Sequence, residues 1–179
     1  MKKNYLAAAA VLSALLSTQA CAEKPAPALQ SKSAVLQCLD RKIELQADCL
    51  PSKNPLASTC TRQSLTFKDG ADRQLGERIF RPAPQQATPA IEEKVSELVC
   101  AETPRGDKYI VARMDNGGNC DNCEWLEVFG WDGAPVGSDR DKKNRNKAVA
   151  EASNAAFNDA TKKVIQKKDL GRFYQGSTK

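Results

Sequence analysis

Residues 95–131 read VSELVCAETPRGDKYIVARMDNGGNCDNCEWLEVFGW, and their reading decides the fold. Three runs rich in β-branched and aromatic residues (95–101, 109–114 and 124–131) are separated by turn formers at 103–107 and 115–122. That spacing predicts an antiparallel meander. Asp132-Gly133 marks the next turn, and 134–136 predicts a short edge strand, because Pro135 cannot donate to a central ladder.

Upstream, Ile43, Leu45, Ala47 and Cys49 alternate with Glu44, Gln46 and Asp48, the period of a half-buried strand. A helical register through Leu36, Leu39, Ile43, Ala47 and Leu50 competes with it. The strand from Ile43, preceded by a helical turn, is favoured. Residues 61–67 predict a second strand, ended by the turn Lys68-Asp69-Gly70. Residues 72–80 are ambiguous, and 81–90, with three prolines, read as an exposed connection. Downstream, Val149, Ala152, Ala156, Ala160 and Val164 recur at three and four, with Phe157 at the edge of the stripe. They predict one long amphipathic helix over 141–169, with Gly171 as its C-cap. The expected fold class is α+β. An antiparallel sheet, a meander of about five strands, is packed by one long C-terminal amphipathic helix and stapled by disulfides.

The chain opens with Lys2 and Lys3, an apolar run over 6–16, and Ala20-Cys21-Ala22. These are the parts of a secretory signal peptide over 1–22. The run is shorter than the about 20 residues that span a bilayer. The two-lysine start points to the periplasm of a bacterium. Cys21 admits a second reading, acylation as a lipoprotein, although Thr18 stands where such signals carry leucine. A membrane anchor is expected only in that case. Residues 23–33, rich in Pro, Ala and Ser, read as a flexible tether, and 34–179 as a single α+β domain. Removal of the leader leaves 157 residues and lowers the formal charge from +5 to +3. That charge is too mild to imply nucleic acid, and no aromatic–basic stripe suggests base stacking. Lys142, Lys143, Arg145, Lys147, Lys162, Lys163, Lys167 and Lys168 crowd the C-terminal region. They read as a solvated helix face, or as a docking surface for an acidic partner.

Six cysteines follow the leader: Cys38, Cys49, Cys60, Cys100, Cys120 and Cys123. An even count in an oxidising compartment predicts three disulfides. Spacing does not select among the roughly 15 possible pairings. The favoured set is Cys49–Cys60 across a hairpin, Cys38–Cys100 between elements, and Cys120–Cys123 locally.

The chain contains no histidine. That excludes Ser-His-Asp and Cys-His catalysis and every His-containing zinc site. Carboxylates, lysines, tyrosines and thiols remain. A redox Cys-x-x-Cys needs its first thiol at a helix N-terminus, where the dipole lowers its pKa. After Cys120 and Cys123 a strand follows instead, and zinc would need a second such pair. The pair reads as a structural staple. Asp115, Gly117, Asn119, Asp121 and Glu124 suggest a calcium loop, but the spacing departs from the EF-hand and the flanks are strands. Glu92-Glu93 and Asp139/Asp141 sit where acids serve as caps or solvated groups, not as a glycosidase pair. No catalytic residue, metal or cofactor is expected.

Trp125 and Trp131, six apart, share one face of a strand with Glu127 and Phe129 between them. Core packing of both is the favoured reading; the alternative places one in the core and the other in an exposed patch, where it could serve as a binding hot spot. In general organisation the chain resembles periplasmic inhibitors and toxin-immunity proteins. The expected function is therefore a non-catalytic periplasmic binding protein. It would be an inhibitor or immunity protein that occludes a toxic or cell-wall- or membrane-degrading hydrolase. Its partner surface would be Asp115, Asn116, Asn119, Asp121, Trp125 and Trp131. The alternatives are a periplasmic thiol–disulfide protein using Cys120 and Cys123, or an envelope assembly or structural factor acting through the basic helix.

Overall fold

The alternation from Ile43 to Cys49 becomes strand β2 (Arg41–Cys49), in which Ile43, Leu45, Ala47 and Cys49 are buried and the residues between them face outward. In the computed structural model the described residues are 28–52, 58–82, 90–118, 120–140 and 146–175. β2 lies between β1 (Gln30–Cys38) and β3 (Cys60–Asp69), and β4 (Gln74–Phe80) follows on the far edge of β3. These four strands form one antiparallel sheet in sequential order.

The second sheet holds β5 (Lys94–Glu102), β6 (Lys108–Asp115), β7 (Glu124–Gly130), β8 (Pro135–Ser138) and β9 (Val164–Asp169). Its order is β8-β7-β6-β5-β9, with every pairing antiparallel. Pro135 begins an edge strand, as expected. Among the described residues the fold is thus mostly antiparallel β, with nine strands in two sheets and not one meander of five.

Three layers result. Leu98, Cys100, Ile110, Met114 and Phe129 face the first sheet and meet Leu36, Leu45, Leu65 and Phe67. Val99, Ala101, Val111 and Val128 point the other way, onto helix α1 (Lys147–Phe157). β5 and β6 are therefore covered on both faces. That explains the near-continuous apolar run at 98–101, where a half-buried strand would alternate.

The long helix of 141–169 is not formed. α1 has 11 residues. Asn146 caps its start, accepting a hydrogen bond from Val149 N at 2.8 Å. At its end Asn158 takes an extended conformation, φ −82° and ψ 115°, and its side chain accepts from Ala160 N at 3.0 Å. Such local bonding by Asn competes with helix continuation. The chain turns and returns as β9. Val149, Ala152, Ala155 and Ala156 form the buried stripe. Val164 reaches the same apolar cluster from a strand, so the apparent period beyond Phe157 is coincidence. β9 supplies backbone partners to β5, whose edge would otherwise lie open. Gly171 falls in the turn after β9, where its N–H donates to Asp169 Oδ1 at 2.7 Å.

β1 begins at Gln30, inside the stretch read as a tether, and runs through the expected helical turn. Its inward side carries Gln30 and Lys32 before Leu36 and Cys38, which hides the apolar period. Lys32 Nζ donates to the carbonyls of Phe173 and Gln175 and so ties the C-terminal turn to β1. That turn is latched a second time by Tyr174. Its hydroxyl donates to Gln63 Oε1 at 2.7 Å and accepts from Val95 N at 2.9 Å, and burial pushes its phenol pKa upward.

One disulfide locks the two sheets together and a second braces the first sheet. Cys38–Cys100 joins the two sheets, and Cys49–Cys60 joins β2 to β3 where the register already pairs those residues. β1 and β2 are linked by the two residues Leu39 and Asp40. Leu39 holds φ 52°, a left-handed conformation costing a leucine roughly 1–2 kcal/mol.

Surface ion pairs give the fold a definite response to acid. Asp40 is held below its ordinary 3.8 chiefly by the hydrogen bond from Trp131. Lys42 does the same for Asp72, and the backbone N–H of Arg73 for Asp69. Glu44 and Glu102 are held below 4.5 by Lys68 and Lys163. A depressed folded pKa stabilises above the unfolded value, and the contribution is lost as pH falls through the folded value. The expected result is a Tm that is flat from about pH 7 to pH 5 and falls below about pH 4.5. Calorimetry across that range checks it. Glu44→Gln should flatten part of the acid limb.

Candidate functional site: the stapled loop at the tip of the second sheet

β6 and β7 pair up to Asp115 and Glu124, so residues 116–123 form the connection at one tip of the sheet. The sequence there organises itself. Asp115 Oδ1 accepts from Gly117 N at 2.5 Å, and Asn116 Oδ1 accepts from Gly118 N at 3.1 Å. These are two successive Asx turns. Asn116 N donates to Cys123 O at 3.1 Å, and Cys123 N to Cys120 O at 3.0 Å. The Cys120–Cys123 disulfide closes the turn, and Cys120 N points at Cys123 Sγ at 3.1 Å. A Cβ on Gly118 would lie 2.4 Å from that sulfur, so the loop packs against its own staple only with glycine there.

The three cross-links use all six cysteines among the described residues. The staple is followed by strand β7, so no helix N-terminus is present to lower a thiol pKa. Asp115 already uses one oxygen on its turn. Among the described residues no three His, Cys, Asp or Glu side chains converge as metal ligands. Glu93, from the first carboxylate pair, is bridged by Arg78 at 3.5 Å and Arg140 at 3.0 Å. Asp139 Oδ1 accepts from Leu126 N at 2.6 Å, and Asp141 lies outside the described residues.

The expected partner residues divide into two groups. Asp115, Asn116 and Asp121 stand together on the loop, with Asp121 exposed. Asn119 lies outside the described residues. Trp125 stands beside the loop but is core, 5% exposed, with Phe129 in the same cluster. The Arg140 guanidinium lies 4.0 Å from its ring centroid. Glu127, on the same face, pairs with Arg78 at 3.1 Å. Trp131 is six residues further along, about 20 Å at the rise of a strand, and so marks the opposite end of the sheet. There its Nε1 donates to Asp40 Oδ1 at 3.0 Å, its carbonyl accepts from Arg41 Nε at 2.7 Å, and Arg41 and Lys108 flank its ring. One binding patch uniting the loop with both tryptophans does not exist.

The basic crowd is dispersed too. Lys147 starts α1, Lys162 pairs with Asp159 and Lys163 with Glu102 in the following turn, and Lys167 and Lys168 lie on β9. Lys142, Lys143 and Arg145 lie outside the described residues. No single helix face gathers those among the described residues.

Sequence reasoning missed the alternating network Glu127–Arg78–Glu93–Arg140 beneath Trp125, because its members come from four separated segments. It also missed Leu39. The available signal was Cys38-Leu39-Asp40-Arg41 between two strands, a tight turn lacking the usual glycine or asparagine. Among the described residues no helix is long and apolar enough to cross a membrane. Compared with protein-family models, curated proteins and solved structures, the chain shows no match.

Proposed function

We propose that the chain is a non-catalytic binding protein of the periplasm. It occludes the active site of a cell-wall- or membrane-degrading hydrolase with loop 115–123. One observation carries this reading. The loop is fixed by two Asx turns, two backbone hydrogen bonds and a disulfide before any partner arrives. A loop ordered in advance avoids the entropy that a mobile one loses on docking, about 0.5–1.5 kcal/mol per immobilised side chain. The rigid end of a cross-linked sandwich holds it out, and Asp121 and Glu124 give its surface acidic character. The leader and the three disulfides support export into an oxidising compartment.

The test is inhibition. The purified chain is titrated against a panel of peptidoglycan hydrolases and phospholipases. The expected result is stoichiometric inhibition of one class. Asp121→Arg, which breaks no hydrogen bond within the fold, should weaken inhibition tenfold or more, about 1.4 kcal/mol. Arg73→Ala, far from the loop, should leave it unchanged. Inhibition undiminished by Asp121→Arg combined with Glu124→Lys would remove the loop from the interface.

A further inference from the structure

The three cross-links differ in what can reach them. Cys38, Cys49, Cys60 and Cys100 are each 0% exposed, so their sulfurs meet no solute while the sandwich is folded. Cys123 is 5% exposed, but its partner Cys120 stands at the surface of the turn. A thiolate must touch the sulfur it attacks, so access separates this bridge from the other two. It also closes the shortest loop, with a separation of 3 against 11 and 62, so the least of the fold depends on it.

The loop is built on that bridge. Cys120 N points at Cys123 Sγ at 3.1 Å, Cys123 N donates to Cys120 O at 3.0 Å, and Asn116 N donates to Cys123 O at 3.1 Å. Gly118 lies so close to the same sulfur that a Cβ there would stand 2.4 Å from it. Once the bond breaks, the two sulfurs must part to van der Waals contact, and Gly118 leaves Cys123 Sγ little room to take up the difference. Gly117-Gly118 then recovers the freedom that the closed ring withholds.

We infer that Cys120–Cys123 is a reversible redox switch of the loop, a substrate of thiol chemistry and not its agent. The reductant is a dithiol, whose first thiolate attacks the exposed Cys120 Sγ. A mixed disulfide forms, the Sγ–Sγ bond breaks, and Cys123 leaves as a thiolate facing the Cys120 N–H. The second thiolate of the dithiol then displaces Cys120. The dithiol ends as a disulfide, and Cys120 and Cys123 each gain one electron and one proton. The reduced loop is mobile, while the two buried bridges hold the sandwich. Opening withdraws the order on which the proposed docking relies, but the inference itself stands on the loop's geometry and not on that function.

The test treats the oxidised full chain, under native conditions, with dithiothreitol. Samples trapped with iodoacetamide are mapped by mass spectrometry. Cys120 and Cys123 should be alkylated about a hundredfold faster than the other four cysteines, or more. In the reduced, unalkylated protein, amide exchange at Asn116, Cys120 and Cys123 should quicken about tenfold or more, with the amides of β3 and β6 unchanged. Oxidised glutathione should restore the slow exchange. Opening of Cys38–Cys100 or Cys49–Cys60 at a comparable rate overturns the inference. So does a reduced pair whose loop exchanges as slowly as before, quickened exchange across β3 and β6, or a loop that stays mobile after reoxidation.

Discussion

Replacing Cys38 and Cys100 together with alanine is expected to cost about 4 kcal/mol of folding stability, the largest loss among the three cross-links. The bridge spans 62 residues and ties the two sheets together. Chain-entropy reasoning scales the stabilisation with the logarithm of the closed loop. The same reasoning gives about 3 kcal/mol for Cys49–Cys60, separated by 11 residues, and about 1.5 kcal/mol for Cys120–Cys123, separated by 3. Alanine is the right replacement because Cys38 and Cys100 are fully buried, and a serine hydroxyl would need a partner there. Urea unfolding of the three double variants should give that order, with the Tm of the first lowered by roughly 8–16 °C. If the Cys120–Cys123 variant proved the least stable, the staple would be part of the scaffold and not a local device of the loop.

Phe67→Ala is expected to cost about 3–5 kcal/mol. Phe67 is 1% exposed and packs against Phe129 across the sandwich, ring centroids 4.8 Å apart. It also sits against the β7–β8 turn, where Gly133 has φ +79° and a Cβ would lie 2.7 Å from the Phe67 Cβ. A Cβ on Gly76 would in turn meet Gly133 O at 3.0 Å. This corner closes the two sheets onto each other with backbone against ring. Gly133→Ala should therefore be costly in the wild type and cheaper once Phe67 is alanine, which removes the ring atoms that the new Cβ would meet at 2.8 and 3.0 Å, although the Phe67 Cβ at 2.7 Å and the cost of the positive φ remain. A double-mutant cycle in urea measures that coupling. Equal costs in both backgrounds would mean that the Phe67 ring is not what excludes a side chain at 133.

The parts legible in the sequence are those where burial imposes a period. β2 alternates along its length and β3 does so from Leu65 to Lys68, and β5 to β7 are set off by strong turn formers. The favoured cysteine pairs are the ones the structure forms. Cys49 and Cys60 close a hairpin, and Cys120 and Cys123 sit within one turn. Three strands were obscured for distinct reasons. β1 turns Gln30 and Lys32 inward, because Lys32 caps carbonyls of the C-terminal turn. β4 places Gly76 and Arg78 on its inner side, one for close approach and the other for Glu127. β9 was masked by alanines that continue a helical spacing past the Asn158 cap.

The site was legible only where it is local. The Asp, Asn, Gly and Cys residues of 115–123 specify their own turns, and those turns are present. The separation of Trp131 from the loop follows from counting residues along one strand, yet the expectation placed both tryptophans on a single surface. The turn at Leu39 shows the opposite limit, since nothing in a leucine announces a positive φ. It becomes visible only once the flanking strands fix a register of Cys38 against Arg41.

The most direct test of the central claim is amide hydrogen exchange on the complex with whichever hydrolase the chain inhibits. Docking of the preformed loop predicts exchange at 116–124 slowed tenfold or more by the partner. It also predicts that the same amides are already slow in the free protein, relative to a variant with Cys120 and Cys123 replaced by alanine. Full inhibition with exchange across 116–124 unchanged by the partner would contradict the account.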